Sequence, residues 1–202
     1  MPLWLAAAPL LLASKSAVRR SLLEGAGVPV EVHPADIDER ALEAAAPSQT
    51  AGVIAALLAR EKAGFAARRH SGRLVLGADQ TLSLGEKRFA KPADVLAARA
   101  QLRALSGRTH ELHSAIAFVQ DSVVLFEHIA VARLTMRALS DRFLDCYLDA
   151  VGSAVTASVG AYQIEGPGIL LFEQVEGDYF TVLGLPLIPA LDFLRRRGCL
   201  AA

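Results

Sequence analysis

Several short stretches of this 202-residue chain place polar and charged side chains where they could act on a ligand. In Ser14-Lys15-Ser16-Ala17-Val18-Arg19-Arg20 an apolar run hands over to a helix. A helix N-terminus offers unpaired N–H groups and a partial positive charge. Arg19 and Arg20 in that first turn oppose the dipole, and a bound anion would reverse the sign of that effect. The serine hydroxyls add donors for phosphate oxygens. Asp79 follows the apolar run 74–78, at the carboxyl end of a strand, where ligand crevices of α/β sheets lie. A carboxylate there can hold a divalent cation or accept a proton from water. Lys91, just before Pro92, can reach a phosphate as a point charge. The run Asp36-Ile37-Asp38-Glu39 can supply further metal-binding carboxylates. Glu61-Lys62 lies in a helix whose apolar stripe is Ile54, Leu57, Leu58 and Phe65. On the helical wheel Glu61 falls inside that stripe and Lys62 near its edge, and a charge on a buried face needs a partner or a purpose. The glycine-bounded segments 160–168 and 176–179 can shape a pocket around a flat base.

Each stretch alone also has an ordinary structural reading: a serine cap with solvated arginines, an ion pair, a turn aspartate, a solvated lysine. His110-x-x-His113 is not read as a metal site, because residues three apart on a strand face opposite sides. Cys146 and Cys199 have no CxxC or Cys/His spacing and read as free thiols in a reducing compartment. No P-loop, GxGxxG, GxSxG or HExxH occurs.

The elements that must hold these residues alternate. The pattern predicts a first strand at 10–13, a helix from 17 to 26 capped by Ser16, and a short strand at 30–33. Val18, Leu22 and Ala26 form the inward face of that first helix. A long helix follows at 48–68, a strand at 74–78 and an extended segment at 81–84. A helix from Pro92 to Leu105 buries Val95, Ala98, Leu102 and Leu105. An antiparallel hairpin spans 110–119 and 123–136, and Ser140 caps a helix running to 151. Strands at 169–175 and 180–183 precede a last helix ending at Arg195-Arg196-Arg197. Alternating strands and helices interrupted by a hairpin imply a mixed twisted α/β sheet flanked by helices, in one domain over 1–202.

Composition excludes several classes. Hydrophobic residues make up 53 % and charged residues 21 %, so the chain is not disordered. Lys+Arg and Asp+Glu both total 21, which disfavours a general nucleic-acid binder. The apolar N-terminal run 3–13 is too short to span a bilayer and lacks the basic flank of a secretion signal. These features lead to the expectation of a cytoplasmic protein that contacts neither membrane nor nucleic acid.

Taken together and in order, the segments LLLASKSAVRRSLLEGAGVPVEV, ADIDE, REKA, VLGADQT, KPAD, QLRALSGRTHELHSAIA and VGAYQIEGPGILLFEQVEGDYFTVLGLPL resemble the Maf family of nucleoside triphosphate pyrophosphatases. They run through nearly the whole chain in one register. The resemblance implies an inosine-triphosphatase-like (Maf/Ham1) fold with two lobes around a cleft, and a homodimer. It implies hydrolysis of a nucleoside triphosphate to the monophosphate and pyrophosphate, aided by Mg²⁺ or Mn²⁺. It also implies an association with septum formation.

By that resemblance Ser14 and Arg19 match the phosphate loop, and Glu39, Lys62, Asp79 and Lys91 match polar cleft residues, with Asp79 at the proton-acceptor position. Asp79, with Glu39, would hold the metal or deprotonate water. The family's usual proline is Ala17 here. Pyrimidine-acting members typically carry Arg, Thr and Gln where this chain has Val18, Gln80 and Glu165. Gln80 and Glu165 look like the branch acting on 7-methyl-GTP, whereas Gly160-Ala161-Tyr162 resembles the pyrimidine branch. Gln80 is expected near the sugar or base. A carboxylate at Glu165 can accept from the N1–H and exocyclic amine of guanine, so a purine such as 7-methyl-GTP is favoured over dTTP or UTP. The rival is a nucleotide-sensing regulator of cell division, which needs the same basic pocket but not Asp79.

Overall fold

The computed structural model describes residues 2–201. Seven strands form one mixed sheet: β1 (Leu10–Leu12), β2 (Val30–Val32), β3 (Val75–Leu84), β4 (Lys87–Phe89), β5 (Thr109–Gln120), β6 (Val123–Met136) and β7 (Phe172–Glu176). Their order is β2-β1-β3-β5-β6-β7, with β4 paired to the far end of β3. The β1–β2 and β1–β3 pairs are parallel and the others antiparallel. Asp121 and Ser122 both have positive φ, 48° and 68°, which matches the right-handed twist at the two-residue β5–β6 turn. Because β1 stops at Leu12 while β3 continues to Leu84, the sheet has a notch beyond β1.

The helices cover both faces. They are α1 (Ala17–Gly25), α2 (Glu39–Ala45), α3 (Ala51–Ala67), α4 (Val95–Leu105), α5 (Asp141–Val151), α6 (Tyr179–Val182) and α7 (Leu187–Arg196). One face of the sheet is covered by α3, whose Ala55, Ala59, Ala63, Ala66 and Ala67 pack on Leu11, Val75, Ala115, Ala117 and Val119. A Cβ on Gly77 would lie 2.0 Å from Ala59 O and 2.7 Å from Ala63 N, so only glycine admits the helix this close. The opposite face carries two separate cores. Leu10, Leu12, Leu76, Ala78, Ile116 and Phe118 pack against α1 and α7, while Leu82, Leu112, Leu134 and Met136 pack against α4 and α5. These two cores are the two lobes, and β3, β5 and β6 run between them.

Several sequence expectations change. The helix expected at 48–68 begins at Ala51, capped by Thr50. The acidic run ahead of it is not a plain loop: Asp38 caps α2, and Glu39 is its first residue. The separate extended pieces at 74–78 and 81–84 are one ten-residue strand, so Asp79 sits mid-strand rather than at a strand end. The crevice at its side comes from the end of β1. In α1 the fully buried residue is Leu23, with Val18, Leu22 and Ala26 only half-buried. Val95 is exposed at the start of α4, and Gln101 takes an inward place beside Ala98, Leu102 and Leu105. Residues 167–171 form a 3-10 turn before β7, and 179–182 form α6, not a strand. His110 and His113 face opposite sides as expected: the first meets Tyr162, the second Ser83 and Glu111.

Candidate active site

A cleft of ≈ 1120 Å³ opens at the carboxyl ends of β1 and β2. The turn from β1 into α1 brings Ser14, Val18 and Arg19 to it. Strand β3 contributes Asp79 and Gln80, and α3 contributes Lys62. Glu39 from α2, Lys91 beyond β4 and Glu165 from the glycine-rich loop complete the nine residues singled out in the sequence, all of which line this one cleft. The segment 176–179 does not line it; there Asp178 caps α6 through Oδ2.

Lys62 ties the carboxylates together. Its Nζ lies 2.5 Å from Asp79 Oδ1 and 2.8 Å from Glu39 Oε1. Lys62 and Asp79 are buried, while Glu39 stands at the exposed rim. Lys62, not Glu61, is the buried residue of that pair. The alanines of α3 make the buried stripe wider than the large apolar residues mark out. Burial raises the Asp79 carboxyl above its ordinary range, and the Lys62 and Arg19 charges oppose that shift. A carboxylate raised in this way is a stronger base.

The two arginines of α1 divide. Arg20 points outward and pairs with Glu24. Arg19 turns inward: Nη1 donates to Ala78 O at 2.8 Å and Ser14 Oγ at 3.1 Å, and Nε donates to Gly184 O at 2.8 Å. Burial disfavours its charge, and Asp79 and Glu39 offset part of that. Ser16 caps α1 by accepting from Arg19 N. Lys91 is exposed at the cleft and forms no ion pair among the described residues. Gln80 lines the cleft, with its Nε2 turned into the protein, where it donates to Ser114 Oγ, Thr181 O and Val182 O.

Among the described residues no group of three or more His, Cys, Asp and Glu could hold a metal alone. The donor set suits a cation of another kind. Mg²⁺ is commonly held by one or two carboxylates together with substrate phosphates, and Asp79 and Glu39 meet at one ammonium beside the anion-receptive α1 turn. No helix among the described residues is long and apolar enough to cross a membrane.

Sequence reading missed one group, the polar seat beneath the glycine-rich loop. His110 Nε2 lies 2.7 Å from Tyr162 OH, Tyr147 OH donates to Ala161 O, and Gln101 donates to Val159 O. Ala161, with φ +58°, is held in the left-handed region by these ties. Polar residues on inward faces were the only sequence signal for them.

Residues 9–197 match the family model described as Maf-like protein. A nucleoside triphosphate pyrophosphatase of Rhodopseudomonas palustris (strain ATCC BAA-98 / CGA009) is 55 % identical over 201 residues, covering 100 % of both chains. The 7-methyl-GTP pyrophosphatase of Mesorhizobium japonicum is 53 % identical over 195 residues, covering 95 % of this chain and 97 % of that one. Among solved structures, a HAM1 protein from Coxiella burnetii aligns over 63 % of this chain and 72 % of its own, with a TM-score of 0.45 and 19 % identity. The full-length identity to pyrophosphatases and the match across nearly every element place this chain in the Maf-like protein family, as a nucleoside triphosphate pyrophosphatase.

Proposed function

We propose that this enzyme cleaves its nucleoside triphosphate between the α- and β-phosphates, with Asp79 as the proton acceptor. The observation that carries this reading is the buried Asp79–Lys62 pair, joined at the cleft rim by Glu39, beside Arg19 in one cleft. The triphosphate lies along the α1 turn, with Ser14, Arg19, Lys62 and Lys91 around its oxygens and Val18 against its flank. Asp79 takes a proton from water as the water oxygen bonds to the α-phosphorus. The bond from that phosphorus to the bridging oxygen breaks, and pyrophosphate leaves. Asp79 and Glu39 would hold a Mg²⁺ or Mn²⁺, which would supply charge neutralisation at the phosphates. Lys62 holds the two carboxylates in place and shifts onto phosphate as substrate enters.

For the base we favour 7-methyl-GTP over dTTP or UTP. Glu165 on the glycine-rich loop offers a carboxylate to the N1–H and amine of a guanine, and a methylated guanine carries a positive charge that suits it. The name of the Mesorhizobium relative supports this choice. A cytoplasmic house-cleaning role is part of this proposal. The homodimer and the link to septum formation rest on the family resemblance alone. The test is pyrophosphate release across a panel of ordinary and modified nucleoside triphosphates, with and without Mg²⁺ or Mn²⁺. Highest kcat/KM for 7-methyl-GTP is expected, with metal required. Preference for dTTP and UTP would overturn the base assignment, and binding without pyrophosphate release would favour the regulator.

A further inference from the structure

The inward face of α4 is apolar at Ala98, Leu102 and Leu105, and one polar residue shares it, Gln101. Gln101 is only 7 % exposed. A buried amide costs free energy unless it is hydrogen-bonded, so an apolar side chain would fill this place more simply. The Nε2 of Gln101 carries two protons, one for each of two backbone carbonyls. It donates to Val159 O and, over a longer 3.4 Å, to Ala90 O. Ala90 and Val159 both line the cleft, on segments far apart in the chain. One buried amide therefore joins two walls of the site.

The first wall is the linker from β4 to α4. Ala90 immediately precedes Lys91, and Pro92 after it holds the Lys91 backbone extended. Asp94 caps α4 by accepting from Ala97 N, which fixes the helix start but not the residues ahead of it. The bond from Gln101 to Ala90 O anchors the linker at the residue next to Lys91. The second wall is the glycine-rich loop. Tyr147 OH holds Ala161 O and His110 holds Tyr162 OH, and each of them grips this loop alone. Gln101 grips it at Val159 and holds the Lys91 linker with the same nitrogen.

We propose that Gln101 is a positioning residue: it touches no substrate, but by holding Ala90 and Val159 together it couples the Lys91 linker to the glycine-rich loop, so that phosphate bound at the first wall orders the second. This rests on the proposal that Lys91 binds the triphosphate.

The test is amide hydrogen exchange with inorganic triphosphate, a probe that has phosphates and no base. In the wild type it should slow exchange at residues 160–163 of the glycine-rich loop as well as at Lys91. Gln101→Met keeps the length of the side chain and removes its donors. In that variant the loop should lose its protection, and the calorimetric Kd for inorganic triphosphate should rise by about 5- to 10-fold. KM for nucleoside triphosphates should rise by a similar factor, with kcat held within about threefold. In a Lys91→Ala background, Gln101→Met should add less than about twofold to the triphosphate Kd. No binding of inorganic triphosphate, no protection of the wild-type loop, equal protection in Gln101→Met, or additive losses in the double variant would each overturn the proposal. Should Gln101→Met fail to fold, Lys91→Ala alone decides it: at saturating inorganic triphosphate the protection of residues 160–163 should vanish, and its persistence overturns the proposal. Neither exchange nor calorimetry needs turnover. A wild-type protein that releases no pyrophosphate would therefore defeat the functional reading while these measurements still decide the role of Gln101.

Discussion

One ammonium, that of Lys62, stands between two carboxylates, and in the proposed mechanism it sets the surroundings of the base Asp79. Asp79→Asn keeps the shape of the side chain and removes its charge. Turnover should fall by at least about 100-fold, the range typical of acid–base groups. The fold should survive, because Lys62 retains Glu39. Near-normal turnover in the purified variant would remove Asp79 from the chemistry. Since burial raises the Asp79 carboxyl and the ionised form is the base, the acid limb of kcat/KM should lie above the ordinary aspartate range and disappear in the variant. Arg19 and Lys91 should separate in a second comparison. Lys91→Ala removes an exposed cation, so KM should rise with unchanged thermal stability. Arg19→Ala leaves the carbonyls of Ala78 and Gly184 without their donor, so KM should rise and stability should also drop by about 1–3 kcal/mol. Equal melting temperatures for the two variants would refute the structural half of that argument. The positions of these residues were legible in the sequence, because charges beside apolar runs are conspicuous. Their directions were not. Whether Arg19 or Arg20 turns inward depends on the Ala78 and Gly184 carbonyls, which lie 59 and 165 residues away.

At the level of elements, the contact of α3 with β3 sets the Lys62–Asp79 distance. Gly77→Ala would place a methyl 2.0 Å from Ala59 O and push the helix off the strand. Overpacking of this kind costs typically about 1–3 kcal/mol, and here the displaced backbone also carries Lys62. Both stability and kcat should fall, whereas a Gly→Ala change at exposed Gly25 in α1, where no atom lies within 4 Å, should leave kcat untouched. A stable, fully active Gly77→Ala protein would show that α3 does not position the site. The elements that the sequence revealed are those with their own signal: the β5–β6 hairpin, the Ser16 and Ser140 caps, the last helix. Those it did not reveal depend on partners. The end of α6 is held by Gln80 and Ser114 from other strands, so residues 180–183 looked extended in isolation. The unbroken β3 was hidden because Asp79 and Gln80, polar at its centre, interrupt the apolar pattern. Their partners, Lys62 on one face and Ser114 on the other, are visible only in the fold.

For the molecule as a whole, His110 links the sheet to the glycine-rich loop at the cleft. It is fully buried on β5, with Nε2 on Tyr162 OH, its ring beside Tyr162 and Phe172, and no partner for Nδ1 among the described residues. No carboxylate bonds or pairs with it there. Burial lowers its pKa from 6.5 to about 4. The unfolded chain therefore takes up a proton at a higher pH than the folded one. The stability that neutral His110 allows is complete above about pH 6.5 and declines as pH falls towards about 4, below which both states are protonated. At about 1.4 kcal/mol per unit, the loss over that window is on the order of 3 kcal/mol. Carboxylates titrating below about pH 5 add their own slope, so the comparison must be with a variant that lacks the imidazole. His110→Phe keeps a ring among aromatic neighbours and removes the titration. Denaturant midpoints measured from pH 8 to pH 4 should fall more steeply for the wild type, with the two curves diverging from about pH 6.5 downward. Because Tyr162 lines the cleft, acid should also loosen substrate binding before global unfolding, and KM should rise below pH 6.5 in the wild type while staying flatter in His110→Phe. Parallel stability curves would mean that the imidazole finds water or a counter-charge when protonated, and that the loop does not depend on its neutrality.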